Sequence, residues 1–403
     1  MAQRQRRYVD WPVGQFKCVE AKLKSTRLDN PTRWLNMRSQ WIALLVVAVM
    51  VEAFVIGYLA DTNNNLVGEL NKLQGEYREL LSKYQGLHGE YQGLLSKYQE
   101  LQGKYQGLSS KYELATTVQY PLKLVDDANR VVVVESEPRR IVSMAPSATE
   151  ILFALGLGDK VVGVTKYCNY PPVVNEMKKN GSLTVIGGYW DPDVERIVAL
   201  KPDLVIGYAS VPSHLGVAKR LESMNVTVLL LFPRYLNDVF NNIVLVGKAC
   251  GKFKEAQELV DQLRARVESV TKKVQGLPKV KVYYELWFNP LMSVGPGTFI
   301  DELIGLAGGE NVFHDAKSPW PTVDSEEVIS RNPDVIILPK TYMTDYNVSI
   351  EQVKSRPGWQ VINAVRNNKV YFIEEDIVVR EGPRLVDALE ALARYIHPEA
   401  FSA

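Results

Sequence analysis

Tyr189-Trp-Asp-Pro-Asp193-Val-Glu195-Arg-Ile-Val-Ala-Leu-Lys-Pro202-Asp203-Leu-Val-Ile206 has a counterpart 131 residues further along the chain, Trp320-Pro-Thr-Val-Asp324-Ser-Glu326-Glu-Val-Ile-Ser-Arg-Asn-Pro333-Asp334-Val-Ile-Ile337. Five of the 18 positions are identical, and the apolar positions coincide as well, Ile197 with Val328 and Val205 with Ile336. Each copy reads as an aromatic loop, an acidic helix start, a short helix, a Pro-Asp turn and a buried strand. Two copies of one such unit predict two similar lobes.

Around the first copy, short apolar runs alternate with helical stretches. Arg140-Ile-Val-Ser-Met144, Lys160-Val-Val-Gly-Val-Thr165, Leu204-Val-Ile206 and Val226–Leu231 read as strands, with a helix near Ser213–Ser223. Ser147-Ala-Thr-Glu150 reads as a capping box leading into a helix stopped by Gly156 and Gly158. Such alternation implies a parallel sheet covered on both faces, an α/β fold. Phe253, Ala256, Leu259, Val260, Leu263, Val267, Val270 and Val274 then keep helical spacing, which predicts one long amphipathic helix closed by Gly276 and Pro278. After it the order replays: strand Val280–Leu286, a cap at Thr298-Phe-Ile-Asp301, a helix stopped by Gly308-Gly309, then the second aromatic passage.

The N-terminal part differs in kind. Residues 1–40 are basic, with Arg4, Arg6, Arg7, Lys17, Lys22, Lys24, Arg27, Arg33 and Arg38 against Asp10, Glu20 and Asp29. Trp41–Leu59 is an apolar run of roughly 28 Å as a helix, enough to cross a bilayer, with Trp41 and Tyr58 at its ends. The basic flank predicts a cytoplasmic N-terminus and an extracytoplasmic remainder. A cleaved signal peptide is the rival, against which stand the long leader, the long apolar run and the lack of a small-x-small site. Glu52 would cost about 2.5–3.5 kcal/mol at the centre of a span, a cost the aliphatic neighbours can offset.

From residue 66 to 114 the leucines Leu66, Leu73, Leu80, Leu87, Leu94, Leu101 and Leu108 recur every seven residues. Leu70, Tyr77, Tyr84, Tyr91, Tyr98, Tyr105 and Tyr112 interleave them. That spacing is a heptad with Leu at d and mostly Tyr at a, and predicts a coiled-coil stalk of about 75 Å that joins copies of the chain. A sugar-binding stripe of tyrosines is the alternative. The expected organisation is a basic cytoplasmic tail (1–40), a transmembrane helix (41–60), a stalk (61–119), an N-terminal lobe (120–250), a linking helix (251–276) and a C-terminal lobe (277–403).

Several functions are disfavoured by composition. A net charge of +1 offers no nucleic-acid footprint. Cys18, Cys168 and Cys250 form no metal spacing and are read as lone thiols, with pairing of Cys168 and Cys250 as the alternative. The four histidines make no His-x-x-x-His pair, so no zinc site is expected. Asn180-Gly-Ser182, Asn225-Val-Thr227 and Asn347-Val-Ser349 are glycosylation sequons.

Taken from residues alone, Glu195 and Glu326 are first-turn acids behind Asp193 and Asp324 caps, each worth about 0.3–1 kcal/mol. Tyr189, Trp190 and Trp320 sit in Gly/Pro-rich loops before helices, where strand ends face a cleft, and flat rings suit a large planar ligand. Arg380, in Asp376-Ile-Val-Val-Arg380-Glu-Gly-Pro-Arg384, is read either as a contact to ligand amides, phosphate or carboxylate or as half of a salt bridge.

Ala145–Gly158, Tyr167-Cys-Asn-Tyr-Pro-Pro172, Ile197–Ile206, Gly308-Gly-Glu-Asn-Val-Phe313 and Pro319-Trp-Pro321, collinear over about 138–390, resemble the substrate-binding proteins of vitamin B12 and ferric-siderophore ABC importers. The resemblance implies two Rossmann-like lobes bridged by one long helix, a ligand in the cleft, little hinge motion and no cofactor. It also implies that one acid on each lobe, here Glu195 and Glu326, docks into arginine pockets of a dimeric permease served by ATPase subunits. Ligand contacts of the vitamin B12 binders match Tyr167, Tyr189, Met292, Trp320 and Arg380, with Trp190 beside Tyr189. Two positions depart from that pattern, Tyr189 standing for a tryptophan and Met292 for a phenylalanine. A corrinoid is the expected ligand, a ferric siderophore or haem the alternative. A tetrapyrrole chelatase would want a His with a carboxylate partner, and neither His214 nor His314 stands in such a motif. A stalked surface-interaction protein that has lost transport is the remaining rival.

Overall fold

The computed structural model describes residues 31–60, 64–340 and 348–402. Cys18, the sequon at Asn347 and most of the basic tail lie outside them. The chain forms two compact units, residues 1–110 and 111–403, each described by itself.

The described residues of the first unit are helical. Helix Pro31–Ala60 contains Ser39–Gly57, 19 residues of mean hydropathy 2.2, long and apolar enough to cross a membrane. Helix Asn64–Thr116 is 53 residues long and continuous, about 80 Å by its rise, despite seven glycines along it. Lys72–Glu76, Lys83–Glu79 and Lys104–Glu100 pair one turn apart along it. Heptad residues Leu80, Leu87, Leu94, Tyr98, Leu101 and Tyr105 are all exposed, an apolar stripe that the unit itself does not cover.

The second unit begins with a hairpin, β1 (Leu122–Val125) and β2 (Val131–Val134). Strands β3 (Ile141–Ser143), β4 (Val161–Val164), β5 (Thr184–Val185), β6 (Leu204–Tyr208) and β7 (Thr227–Leu231) make a parallel sheet in the order β5-β4-β3-β6-β7. The second sheet holds β8 (Val280–Phe288), β9 (Leu291–Ser293), β10 (Gly309–Asn311), β11 (Val335–Lys340) and β12 (Val370–Glu374). Its parallel order is β10-β8-β11-β12, with β9 antiparallel to β8. Helix Phe253–Val274 runs between the two sheets in sequence, over the residues whose apolar spacing marks it. Both sheets place their first strand inside and send the next strand to one side and a later one to the other. That reversal opens a crevice at the strand C-termini.

The repeated passage is a structural repeat. Helices Val194–Ala199 and Ser325–Arg331 are capped by Asp193 and Asp324, whose carboxylates accept from backbone N–H groups of the first turn. Lys201 and Asn332, equivalent positions, share a left-handed backbone with φ 46°. Asp203 N donates to Arg140 O and Asp334 N to Lys281 O, both at 2.8 Å, so each Pro-Asp turn locks its strand onto the first strand of its sheet. The five residues of β6 are buried, as are the first five of β11, which is why both read as unbroken apolar runs.

Both halves fall within one compact unit. One feature differs from the sequence reading: the capping box expected at Ser147–Glu150 is not formed. The helix starts at Pro146 behind Ala145, with no side-chain cap, because alanine at the N-cap position carries no acceptor. Ser147 and Glu150 are buried inside the first turns instead. At the second site Thr298 does cap its helix, accepting from Asp301 N at 3.2 Å.

Candidate functional site

Three loops at strand C-termini carry the first group of site residues. After β4, Cys168 is buried, with Thr149 Oγ1 3.2 Å from its sulfur and Lys178 Nζ donating to its carbonyl at 2.5 Å. These contacts fix the turn from which Tyr167 projects, its ring under Lys166 Nζ at 4.9 Å. After β5, Gly187 bridges to Pro192 and Asp193 N returns to Ile186 O at 2.7 Å, closing a six-residue excursion. Gly187 has φ 108°, and a Cβ there would stand 2.6 Å from Asp191 O, so only glycine closes this loop. Tyr189 and Trp190 are at its tip with rings edge to face at 4.7 Å, and Trp190 is 65% exposed.

His214 holds the excursion from behind. Its Nδ1 accepts from Tyr208 N at 3.0 Å, so Nε2 carries the proton and donates to Tyr189 O at 2.7 Å. Burial of the ring pushes its pKa down to about 4. The histidine is therefore a neutral bracket, and the sequence offered no sign of it.

Arg380 is buried and fully engaged. Its guanidinium reaches Glu150 Oε1 at 3.1 Å, Asp376 Oδ1 at 2.7 Å, Asn169 Oδ1 at 2.6 Å and the Tyr167 carbonyl at 3.3 Å. Arg384 adds two bonds to Glu150, at 2.6 and 2.9 Å, and its guanidinium covers the Tyr170 ring at 4.0 Å. Of the two sequence readings of Arg380, the ion pair is the one formed, buried rather than at the surface. Next to it, half-buried Glu381 receives the Tyr208 hydroxyl on its carbonyl at 3.4 Å, and burial raises its carboxyl to about 7.

Met292 and Trp320 form a second group. Gly295 N donates to Pro319 O at 2.8 Å, Ser293 N to Pro321 O at 3.0 Å and Val323 N to Leu291 O at 2.9 Å. Segment 319–323 thus extends β9 as an antiparallel neighbour, with Met292 opposite Thr322 and Trp287 opposite Met292 across β8. Trp320 is 43% exposed. Exposed aromatic rings beside a thioether offer flat, polarizable contact surface with little polar demand.

Glu195 and Glu326 are both exposed in the first turn of their helices, and among the described residues neither carboxylate makes an ion pair. Each lies six residues after the aromatic of its copy, Tyr189 or Trp320. Elsewhere, His314 has a carboxylate partner after all, Asp301 at 2.8 Å, across 13 residues that no short motif spans. Cys168 and Cys250 are free and buried. Among the described residues no cluster of His, Cys, Asp and Glu could hold a metal ion.

Comparison with known proteins follows this geometry. Residues 141–377, which hold most of both sheets, match the family described as "Periplasmic binding protein". The chain is 34% identical over 291 residues to an uncharacterized ABC transporter substrate-binding lipoprotein, YvrC, of Bacillus subtilis, covering 71% of this chain and 88% of that protein. It is 31% identical over 255 residues to a vitamin B12-binding protein of Vibrio parahaemolyticus, covering 63% and 88%. The periplasmic heme-binding protein RhuT from Roseiflexus superposes with a TM-score of 0.57 at 27% identity, covering 66% of this chain and 99% of that one. On its sequence and its two-sheet architecture, this chain belongs to the periplasmic binding protein family.

Proposed function

We propose that the protein is a membrane-anchored, extracytoplasmic substrate-binding protein of an ABC importer, and that it captures a cobalamin-like corrinoid between its two sheet-bearing lobes. The observation that carries this reading is the duplicated passage. In each half it presents an aromatic ring in the loop before a short helix and, in the first turn of that helix, an exposed glutamate that makes no ion pair among the described residues. Tyr167, Tyr189, Trp190, Met292 and Trp320 would line the ligand cleft. Arg380 would act through the Tyr167 loop that it holds. Glu195 and Glu326 would meet cationic pockets of the two permease subunits, where charge pairing sets register. The similarity to a vitamin B12-binding protein favours the corrinoid, and the haem-binding neighbour keeps an iron complex, haem or a ferric siderophore, as the second reading. Neither relative is named as an enzyme, and the family reading involves no catalysis.

Helix Pro31–Ala60 would anchor the protein with its N-terminus in the cytoplasm. The Leu/Tyr stripe of Asn64–Thr116 would form a coiled-coil stalk with other copies of the chain. Calorimetric titration of the full-length protein in detergent with cyanocobalamin, cobinamide, haemin and ferric siderophores tests the ligand. Tightest binding of the corrinoids is expected, and a corrinoid affinity below that for haemin or a siderophore overturns it.

A further inference from the structure

The heptad stripe of Asn64–Thr116 carries an orientation. With Leu at d and mostly Tyr at a, the g positions are Glu69, Glu76, Lys83, Glu90, Lys97 and Lys104. The e positions are Val67, Gln74, Leu81, His88, Leu95 and Gln102, with no carboxylate, Lys or Arg among them. In a parallel pair each g residue faces an e residue of the other helix, so these charges meet no opposite charge. Reversing one helix exchanges its two edges, and g then faces g. One antiparallel register sets Glu69 against Lys104, Glu76 against Lys97 and Lys83 against Glu90, each pair occurring twice by two-fold symmetry. A slide of one heptad in one direction sets Lys83 against Lys97 and Glu90 against its own copy. A slide in the other sets Glu76 against Glu90 and Lys83 against its own copy. The seam agrees with the charges. In a parallel pair Tyr77, Tyr84, Tyr91 and Tyr98 each meet their own copies, whereas in the charge-matched antiparallel register they lie opposite Leu94, Leu87, Leu80 and Leu73. A large ring opposite a smaller side chain gives layers of even volume. Among the described residues Glu69, Glu90 and Lys97 make no ion pair, and Glu76, Lys83 and Lys104 have only exposed partners one turn away on their own helix, contacts weak enough to exchange. All seven glycines fall at c and f, off the seam, and glycine is a poor helix former, so a helix of this length calls for a partner.

A second observation concerns the start of this helix. Leu70 Cδ2 lies 3.7 Å from where a Cβ on Gly57 would stand. On one continuous helix the two residues would be about 20 Å apart along the axis. Helix Asn64–Thr116 therefore does not continue helix Pro31–Ala60 but crosses its end. Resting on the reading of Ser39–Gly57 as a membrane anchor and of the Leu/Tyr stripe as a contact between copies, we propose that the stalk is an antiparallel dimer lying along the membrane surface, with one anchor at each end. Its partner is a second copy of this chain in the same membrane. An upright stalk needs both anchors at one end, which antiparallel pairing excludes. In the matched register Asn64 of one helix lies opposite Gly107 of the other, so Thr116 falls about 14 Å beyond the start of the partner's helix. The chain leaves the stalk beside the partner's anchor, at the level of a permease in that membrane, rather than about 80 Å above it.

The test uses full-length protein in cell membranes with Cys18→Ser, since Cys168 and Cys250 are buried. Two differently tagged forms, Leu73→Cys and Tyr98→Cys, are coexpressed and oxidised with copper phenanthroline. The two positions face each other in the matched antiparallel register and are about 37 Å apart in a parallel one. A disulfide joining the two tags is expected, with none in membranes that carry either form alone. A disulfide in Leu73→Cys alone means a parallel pair and overturns the proposal, while leaving the stalk a coiled coil. A disulfide formed only on mixing two cell populations, each carrying one form, means anchors in facing membranes and overturns the flat arrangement. No disulfide in any sample overturns it as well, and if the parent also sediments as a monomer the coiled-coil reading falls with it. Charge reversal gives an independent readout by sedimentation in detergent. Glu69→Lys with Glu76→Lys and Glu90→Lys should weaken self-association about 100-fold, as should Lys83→Glu with Lys97→Glu and Lys104→Glu, and mixing the two variants should restore it. Self-association of both variants equal to that of the parent overturns the charge-matched register.

Discussion

Arg380 Nη1 lies 3.1 Å from Glu150 Oε1, a contact between residues 230 positions apart that fastens the C-terminal segment onto the first helix of the first sheet. Arg384 binds the same carboxylate in a fork, and both members of the Arg380–Glu150 pair are nearly inaccessible. Glu150→Ala would leave two guanidinium groups facing each other in a dry site. Loss of one partner from a buried pair costs about 3–5 kcal/mol. The urea midpoint should drop accordingly, and Glu150→Gln, which keeps some hydrogen bonds, should cost less. A midpoint unchanged by Glu150→Ala would mean that the network is not closed in solution.

His214 sets an acid limit. An unfolded histidine takes its proton near pH 6.5, whereas burial keeps the folded one neutral down to about 4. Between those values the unfolded chain binds the extra proton. The stability from neutral His214 is therefore full above pH 6.5 and is lost as pH falls toward 4. Glu381 runs the other way. Its folded pKa is raised from 4.5 to about 7, so its contribution is full below pH 4.5 and is lost as pH rises through 7. In a Glu381→Gln background the unfolding free energy should fall by about 2 kcal/mol between pH 6.5 and 5.0. Nitrogen chemical shifts of the ring give a second check, with Nδ1 unprotonated at pH 7. A His214 midpoint above pH 6 would refute the buried neutral bracket.

Trp190 and Trp320 are the exposed rings of the two copies, so truncating them should spare the fold. Each change to Ala is expected to weaken corrinoid binding roughly tenfold, on the scale of a lost aromatic contact, with the melting temperature unchanged. Titration of both single variants and of the pair checks this. Ligand affinity unaffected in the double variant would remove these rings from the cleft.

Glu195→Lys together with Glu326→Lys should abolish uptake in cells carrying the permease while leaving ligand affinity intact. Uptake at the wild-type rate would take both residues out of the docking surface.

Deletion of residues 66–114 should impair uptake, by removing the tether that concentrates the binding unit at the membrane, and should leave affinity unaltered. Analytical ultracentrifugation of the parent and the deletion reports on self-association. A parent that sediments as a monomer would show that the Leu/Tyr stripe does not join copies of this chain.

Local rules made much of the architecture legible. Unbroken apolar runs such as Val335–Leu338 announce strands covered on both faces, and a 3.6-residue period announces Phe253–Val274. The duplicated caps at Asp193 and Asp324 were readable because a cap satisfies donors two or three residues away. For the same reason Ser147–Glu150 misled. The spacing of a capping box is present, but Pro146 starts the helix earlier and Glu150 is drawn to arginines that local spacing cannot reveal.

The sequence by itself determined the α/β alternation, the internal repeat, the long apolar and heptad segments and the placement of one ring and one acid in each half. All of these follow from periodicity and from hydrogen bonds that close within a few residues. Only the tertiary structure decided which charges are spent and which remain free. Arg380, read either as a ligand contact or as half of a salt bridge, pairs with Glu150 and Asp376. His214 proves to be a bracket for Tyr189, and Glu381 makes no ion pair among the described residues. The physical reason is that burial and pairing belong to groups brought together across 25 to 234 residues, and the energy of a charge depends on those neighbours rather than on its place in the chain.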